Sequence, residues 1–421
     1  MANSNACEQL VEAERNGEGF RGRLVNTAPI YWLALGTFAI GTEGFMIAPL
    51  IPSMAADLKV GVSSAGLLVT AFALAYAVSS PVLTALTGNY DRRRLLILAM
   101  AAFAIANMVA WSAKNYWWLM GARVLLAFAA GLYVPNANAL AGSLVAPERR
   151  GRALAIVNGG TTMAIAFGVP LGASIGDHLG WRATFATVGL MAAIAALGLK
   201  FGLHRRVGVV THVVGLRERI AVVRTPGVLP ALLITTLWAT GAYTVYTYIA
   251  PLLDAVTGIR GGRLSAVLFL WGMCAAGGLA LGGHRHDRSG PRAVLIPALI
   301  ALASAFMVIS ICAHVLSQAA AVAPVLCCVV IWGIAAWAFF PAQQARLIGI
   351  AGPRVAPIIL SLNASFMFVG FSAGAALGSV VVADGSIPNL GWTGAACETA
   401  ALILLLLGRA QTTVNRVDVA R

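Results

Sequence analysis

The sequence predicts an all-α membrane protein whose twelve transmembrane helices form two pseudo-symmetric six-helix halves. Apolar residues make up 59% of its 421 residues and charged residues only 10%, whereas a soluble domain carries about 25% charged residues. This composition excludes a soluble enzyme and a disordered chain. The formal charge is +14, but the basic residues lie in short clusters between apolar runs, which indicates membrane topology rather than nucleic-acid binding.

The spans follow from the lengths of the apolar runs. A hydrocarbon core of roughly 30 Å takes about 20 helical residues to cross, and backbone polar groups in lipid are satisfied within helices. Runs of this size lie at 30–52, 63–86, 94–113, 117–141, 153–176, 183–201, 229–250, 264–283, 293–313, 322–345, 355–382 and 392–408. We therefore expect a tail (1–28), a first half (29–201), a central loop (202–228), a second half (229–408) and a second tail (409–421).

The distribution of Lys and Arg predicts the orientation. With both termini inside, 23 of the 29 basic residues lie in inner segments and 5 in outer segments, while Arg123 lies within a span. Cytoplasmic segments of membrane proteins carry this excess. We expect a multi-pass protein of the cell (inner) membrane with both tails and the central loop in the cytoplasm.

The two halves repeat the same features. An Asp-Arg pair follows the second span (Asp91, Arg92) and the eighth span (Asp287, Arg288). Glycines recur every fourth residue in the fifth span, from Gly168 to Gly176, and in the eleventh, from Gly370 to Gly378. Repeated halves of this kind are typical of secondary transporters, whose substrate site lies at the midplane between the repeats.

Glu43 is the strongest functional signal in the sequence. An ionisable residue within a span costs about 2.5–3.5 kcal/mol on insertion scales and is a functional hypothesis by default. It lies roughly 20 Å from the inner face at 1.5 Å per residue. A carboxyl group that binds and releases a proton could couple transport to a proton gradient. The alternative is a carboxylate that only holds two helices together.

Arg123 reaches nearly the same depth from the other side of the membrane. It lies about six residues into the fourth span, which is about 21 Å from the inner face. If the first and fourth spans face each other, Arg123 and Glu43 could pair directly or through a polar network. Cargo that alters this contact would change the proton affinity of Glu43. The alternative is a permanent buried pair that only fixes helix packing.

A central chamber would be lined by amides and aromatic rings from several spans. Aromatic walls with a few amides suit an amphiphilic neutral guest, although each residue could instead serve helix packing. The candidates are Asn136, Asn138, Asn158, Tyr243, Tyr246, Trp332, Trp337, Gln343 and Asn363. Glu398 is a second acid within a span, and its role is not assigned.

Three motifs carry a family resemblance. The loop 283–292, which reads Gly-x-x-x-Asp-Arg-x-Gly-x-Arg, resembles the signature of the major facilitator superfamily. The first span, around Gly41-Thr42-Glu43-Gly44, is similar to twelve-span drug:proton antiporters, in the branch of sugar-efflux and chloramphenicol-resistance exporters. The segment 168–172, Gly-Val-Pro-Leu-Gly, resembles the fifth-span antiporter signature, with one residue inserted between glycine and proline.

The resemblance implies roles for residues outside the chamber. Asp91, Arg92, Asp287 and Arg288 would form a gating latch, with Asp91 bracing a neighbouring helix when the transporter is open outward; the alternative is a topology signal alone. In the fifth span, the resemblance implies a tight contact between the halves, and the alternative is ordinary packing of the span. The residues concerned are Gly168, Pro170 and Gly172.

The sequence thus predicts a proton-coupled exporter of a small organic compound, a drug such as chloramphenicol or a sugar. The alternative within transport is proton-coupled uptake of a sugar or nucleoside. A membrane-embedded enzyme or a sensor is the alternative of another class, and no Gly-x-x-x-x-Gly-Lys-[Ser/Thr] loop or His-Glu-x-x-His motif supports it. We expect a monomer in the bilayer that binds substrate and protons, with no cofactor, metal or nucleic acid.

Overall fold

The predicted fold class is confirmed: the chain is a bundle of long α-helices. A computed structural model describes residues 28–88, 90–146, 149–203 and 216–418. The predicted first tail lies almost wholly outside these residues, as does 204–215 of the predicted central loop. Within the described residues, twelve helices are long and apolar enough to cross a membrane. They are α1 (Ala28–Asp57), α2 (Val62–Leu86), α3 (Arg92–Trp111), α4 (Tyr116–Ser143), α5 (Arg150–Leu179), α6 (Trp181–Gly202), α7 (Val228–Tyr246), α8 (Gly262–Ser289), α9 (Arg292–Val315), α10 (Gln318–Ala351), α11 (Ala356–Ala383) and α12 (Leu390–Asp418).

Several helix ends differ from those predicted, since most helices extend a few residues past the apolar runs. Helix α7 ends at Tyr246, and a separate helix, Ile249–Thr257, follows. Pro251 explains the break, because a proline at this position has no N–H to bond the carbonyl of Thr247. The central stretch contains a helix at Leu216–Val223. Helix α12 continues past the predicted end at 408, since hydropathy detects the lipid-crossing part of a helix and not its continuation into water.

Helix α5 is not a uniform α-helix. Its α-helical parts, Arg150–Met163 and Val169–Leu179, flank a π-helical turn at Ala164–Gly168. A π-turn holds one more residue than an α-turn, and Pro170, two residues after the turn, cannot donate a backbone hydrogen bond. The π-turn therefore makes room for the one residue by which this segment is longer than the antiporter signature that it resembles.

The most extensive helix pairs within the first half have counterparts six helices later. Helix α1 packs on α5 and α6 as α7 packs on α11 and α12; the pairs α2–α4, α3–α4 and α3–α6 correspond to α8–α10, α9–α10 and α9–α12. The two halves therefore share one internal arrangement, as the repeated sequence features predicted.

The repeated glycines bring backbones together within each half. A β-carbon at Gly168 would overlap Thr42 of α1, and one at Gly176 would overlap Leu50. In the second half, β-carbons at Gly370 and Gly374 would lie within contact distance of backbone atoms of α7. Small residues at four-residue spacing allow such close approach, so each half is a tightly packed unit.

The halves meet along α2 and α11. The Ser379 hydroxyl donates to the Ser63 carbonyl at 3.0 Å, and the rings of Tyr76 and Phe368 stack with centroids 3.8 Å apart. We call the end that carries the Arg-rich connections before α3, α5 and α9 the basic end, and the other the distal end. Ser63 and Ser379 lie at the distal end and the Tyr76–Phe368 stack lies near mid-membrane, so this seam closes the distal side.

A second seam joins α5 and α8. A β-carbon at Gly272 would lie 2.6 Å from Ala166 Cα and 2.5 Å from the Ile165 carbonyl oxygen, which are backbone atoms of the other half. Phe167 and Phe269 pack edge to face beside this crossing, with centroids 5.6 Å apart. Because backbone cannot yield as a flexible side chain does, a larger residue at position 272 would separate the halves here.

We predict that Gly272→Val opens the distal side of the protein. A branched side chain collides with the α5 backbone and favours conformations in which the seam is broken. A cysteine introduced at Ser379, which is buried at the distal end, should then react faster with a membrane-impermeant maleimide. Gly277→Val on the same helix is the matched control, because a β-carbon there meets no atom within 4 Å. Equal labelling rates in the two variants would contradict this role of the seam.

Candidate functional site

The structure brings Glu43 and Arg123 into direct contact in the middle of the first half. Both side chains are completely buried, and Arg123 Nη1 donates a hydrogen bond to Glu43 Oε1. Arg123 Nε also donates to the Leu68 carbonyl of α2 at 3.2 Å, and its guanidinium carbon lies 4.2 Å from the centre of the Phe72 ring. The pair thus joins α1 to α4, and Arg123 further contacts α2.

The ion pair keeps unused hydrogen-bonding capacity. Among the described residues, Glu43 Oε2, Arg123 Nη2 and the hydroxyl of neighbouring Thr42 have no hydrogen-bond partner. A buried polar atom without a partner costs free energy, and such atoms in native structures call for an explanation. The arrangement can therefore accept one more hydrogen-bond donor at Glu43 Oε2 and one more acceptor at Arg123 Nη2.

The pair faces the second half across Tyr243 of α7. Tyr243 lies near Arg123, and its ring stacks on Phe371 of α11 with centroids 3.6 Å apart. Phe45, two residues after Glu43, packs edge to face against Tyr243 at 6.1 Å. The ionisable pair of one half therefore lies against aromatic side chains of the other.

The structure also brings three further predicted aromatic residues to this place. Tyr246 donates its hydroxyl hydrogen to the Phe45 carbonyl at 3.0 Å and lies 6.2 Å from Trp332. Trp337 is the third, with its ring centre 6.2 Å from that of Phe45. These three residues form an aromatic cluster at the junction of the halves together with Tyr243, Phe45, Trp271 and Phe371.

The sequence did not single out Phe45, Trp271 and Phe371. In an apolar span a phenylalanine or tryptophan looks the same whether it faces lipid or a partner helix. The position of Phe45, two residues after the buried acid, is the one signal that could have drawn attention to it.

The predicted amides do not gather at this cluster. In the second half they form a buried network: Gln343 donates to the Ala231 carbonyl at 2.6 Å and to Thr235 at 3.1 Å, and Thr235 donates to Asn363 at 2.8 Å. This network ties α7 to α10 and α11. Both amides bond to Thr235, and Gln343 Oε1 has no hydrogen-bond partner among the described residues.

The first-half amides have separate positions. Asn136 and Asn138 each donate to the carbonyl four residues earlier in α4. Asn158 is exposed on α5. Towards the basic end, a cavity of about 340 Å³ opens between α1, α4 and α5, and Arg149 and Arg152 are in its wall.

The Gly168–Gly172 segment packs within the first half. The resemblance allowed a contact between the halves, but Gly168 lies against Thr42, and Gly172 lies against Met46 and Thr184. The side of α5 that meets the other half includes Ile165 and Ala166, and Val169–Leu179 also contacts α8. Ile165, Ala166 and Gly168 lie within the π-turn, so the directions in which they face do not follow from regular α-helical spacing.

The predicted latch residues have local positions at the basic end. The Asp91 carboxylate accepts a hydrogen bond from the Arg94 N–H at 2.7 Å and caps α3. An acid at an N-cap stabilises a helix, so Asp91 has a structural role in this conformation, while the latch expected in the outward-open state stays a prediction. Asp287 and Arg288 are exposed in the last turn of α8, and Arg92 begins α3.

Comparisons with known proteins agree on one family. A model of the Major Facilitator Superfamily matches residues 33–375. The uncharacterized MFS-type transporter YbcL of Bacillus subtilis (strain 168) is 33% identical over 382 residues, which are 91% of this chain and 96% of YbcL. A chloramphenicol resistance protein of Streptomyces lividans is 35% identical over 262 residues, covering 62% of this chain and 67% of that protein.

A solved structure supports the same fold. The crystal structure of a bacterial homologue of the human lysosomal transporter Spinster, in an inward-facing and unoccupied conformation, matches with a TM-score of 0.71. The match covers 92% of this chain and 96% of that one, at 19% identity. At this identity the likeness shows the arrangement of helices alone.

We predict strong energetic coupling between Glu43 and Arg123. Replacing one partner of a buried pair leaves the other as an uncompensated charge, so Glu43→Ala and Arg123→Ala should each lower the free energy of unfolding by about 3–5 kcal/mol. The double variant should lose much less than the sum. Reversible unfolding in mixed micelles measures this cycle. Effects that add to within about 0.5 kcal/mol would mean that the two side chains act independently.

Proposed function

Because this chain belongs to the Major Facilitator Superfamily and is one of its membrane transporters, we propose that it exports a small organic compound in exchange for protons. One observation carries the proposal. A buried acid, Glu43, is paired with Arg123 at the junction of the two halves, where the pair lies against Tyr243 and the aromatic cluster. A proton-binding group and a cargo surface therefore adjoin each other.

The coupling step follows from electrostatics at this junction. A proton on Glu43 neutralises the carboxylate and removes its attraction for Arg123. Glu43 Oε2 has no hydrogen-bond partner among the described residues, and it can accept a hydrogen bond from a donor group of the cargo only while it does not carry the proton. Cargo and proton therefore compete for this oxygen, each lowers the affinity for the other, and this reciprocity is the linkage that exchange of cargo for protons requires.

The seams support alternating access. Hydrogen bonds and ring contacts between the halves extend from mid-membrane to the distal end. With the basic end in the cytoplasm, as its Arg content predicts, this conformation would load cargo from the cytoplasm. Breaking the α2–α11 and α5–α8 seams would then release it on the other side.

The choice of cargo rests on the aromatic cluster and on one relative. Rings of Tyr243, Tyr246 and Trp337 around a few polar atoms suit an amphiphilic neutral compound. The relative from Streptomyces lividans is named a chloramphenicol resistance protein, and resistance by export agrees with a cytoplasmic loading state. Uptake of a sugar or nucleoside is the alternative, and the direction of transport in vesicles distinguishes the two.

We predict that Glu43→Gln abolishes proton-driven transport. In everted vesicles with an acidic lumen, the wild-type protein should accumulate labelled chloramphenicol as protons leave, because exchange runs down the proton gradient. The amide cannot exchange a proton, so the variant should accumulate no more than vesicles without a gradient. Asp254→Asn is the matched control, since this acid pairs with Arg260 at the distal end. Equal gradient-driven accumulation in wild type and Glu43→Gln would remove Glu43 from the coupling.

We also predict a change in drug susceptibility. Cells that express the wild-type chain should survive higher concentrations of chloramphenicol than cells without it, because export lowers the internal concentration. The Glu43→Gln variant, expressed to the same level, should restore sensitivity. A panel of antibiotics and sugars with both strains identifies the cargo. Protection by the variant equal to that of wild type would argue against proton-driven export.

A further inference from the structure

A second acid lies in the membrane core, in the half that does not contain Glu43. Glu398 is on α12, near the middle of its apolar span, and its side chain is completely buried. Both carboxylate oxygens have no hydrogen-bond partner among the described residues. The coupling step proposed above does not use this acid.

Glycines bring α7 directly over the carboxyl group. A β-carbon at Gly241 would lie 2.9 Å from Glu398 Oε1 and 2.8 Å from the Gly394 carbonyl oxygen. A larger side chain at position 241 would occupy the space that the carboxyl group fills. The acid is therefore enclosed at a close crossing of α7 and α12, without access to water.

No basic group faces Glu398 from the described helices that pack on α12, which are α7, α9 and α11. Residues 356–383 of α11 contain no ionisable side chain, and residues 293–311 of α9 contain none. The ionisable residues of α7 and α9 are Tyr243, Tyr246, Arg292, Cys312 and His314. The two tyrosines belong to the aromatic cluster, and the other three lie towards the ends of α9.

Helices α10 and α12 supply no counter-charge near the acid. Arg346 of α10 lies beside Gly408 of α12, ten residues from Glu398, which is about 15 Å along a helix. On α12 itself the neighbouring ionisable group is Cys397, and the basic residues begin at Arg409. An ionised carboxylate without a partner is strongly disfavoured in such surroundings.

We propose that Glu398 is a second proton-binding site, occupied in this conformation, where the neutral acid fills the space over Gly241. The bound proton has a consequence for the aromatic cluster at the junction of the halves. Gly241 and Tyr243 are about 200° apart around α7, so the helix face opposite the acid carries the tyrosine that lies near Arg123. Ionisation of Glu398 would draw water into the crossing and displace α7, and Tyr243 with it.

The first test is an infrared difference spectrum of the protein in lipid at neutral pH. The wild type minus Glu398→Gln should show the carbonyl stretching band of a protonated carboxylic acid. Glu43→Gln is the control and should retain that band. A difference spectrum that instead shows a carboxylate band would overturn the proposal. This readout needs no cargo and no gradient, so it is independent of the proposed export.

The second test is thermal stability as a function of pH. The proton is bound in the folded protein, so its contribution to stability is present at low pH and is lost as the pH rises and the acid ionises. The melting temperature of the wild type should fall towards alkaline pH more steeply than that of Glu398→Gln, which stays neutral. Identical pH profiles would contradict the proposal. If the variant does not fold, the wild type is titrated alone. Its acid band should disappear over the same alkaline pH range in which its melting temperature falls. A band that stays unchanged over that range would overturn the proposal.

Discussion

A charge in the membrane core is stable only beside a charge of opposite sign, and the contact of Glu43 with Arg123 meets this condition for the first half. Each residue alone would cost about 2.5–3.5 kcal/mol on insertion scales. Together they fix α1 against α4, and the contacts of Arg123 with Leu68 and Phe72 add α2. The same contact places the two groups at the junction with the other half. Stability and chemistry therefore depend on one pair of side chains.

The rest of the architecture divides into contacts within the halves and seams between them. Glycine rows bring α5 against side chains of α1, and α11 against the backbone of α7. The seams consist of ring pairs, serine hydroxyls and one backbone crossing at Gly272, and the α2–α11 seam is as extensive as any packing within a half. Under the proposed alternating access, these seams beside the Glu43–Arg123 pair are the surfaces that would separate.

Hydropathy was sufficient to predict the twelve spans, because lipid imposes the same length and the same apolar character on every crossing segment. Counting residues from each membrane face also placed Glu43 and Arg123 at one depth, and the structure brings them into contact. Other features depend on which way a side chain faces, and spacing alone does not fix that direction. Phe371 stacks on Tyr243 yet resembles any lipid-facing phenylalanine in sequence, and Asp91 caps its helix at a position where the family suggests a gate.

The π-turn in α5 has a consequence for variation in chain length. Adding or deleting one residue in a regular helix turns everything beyond it by about 100°, which would rotate one set of contacts into lipid. The widened turn at Ala164–Gly168 confines that change to five residues, so Gly172 can stay against α1 while Ile165 stays against α8. Homologous chains that differ by one residue at this point could therefore keep both neighbours. We therefore expect a one-residue insertion or deletion to disturb the packing less here than elsewhere in the span.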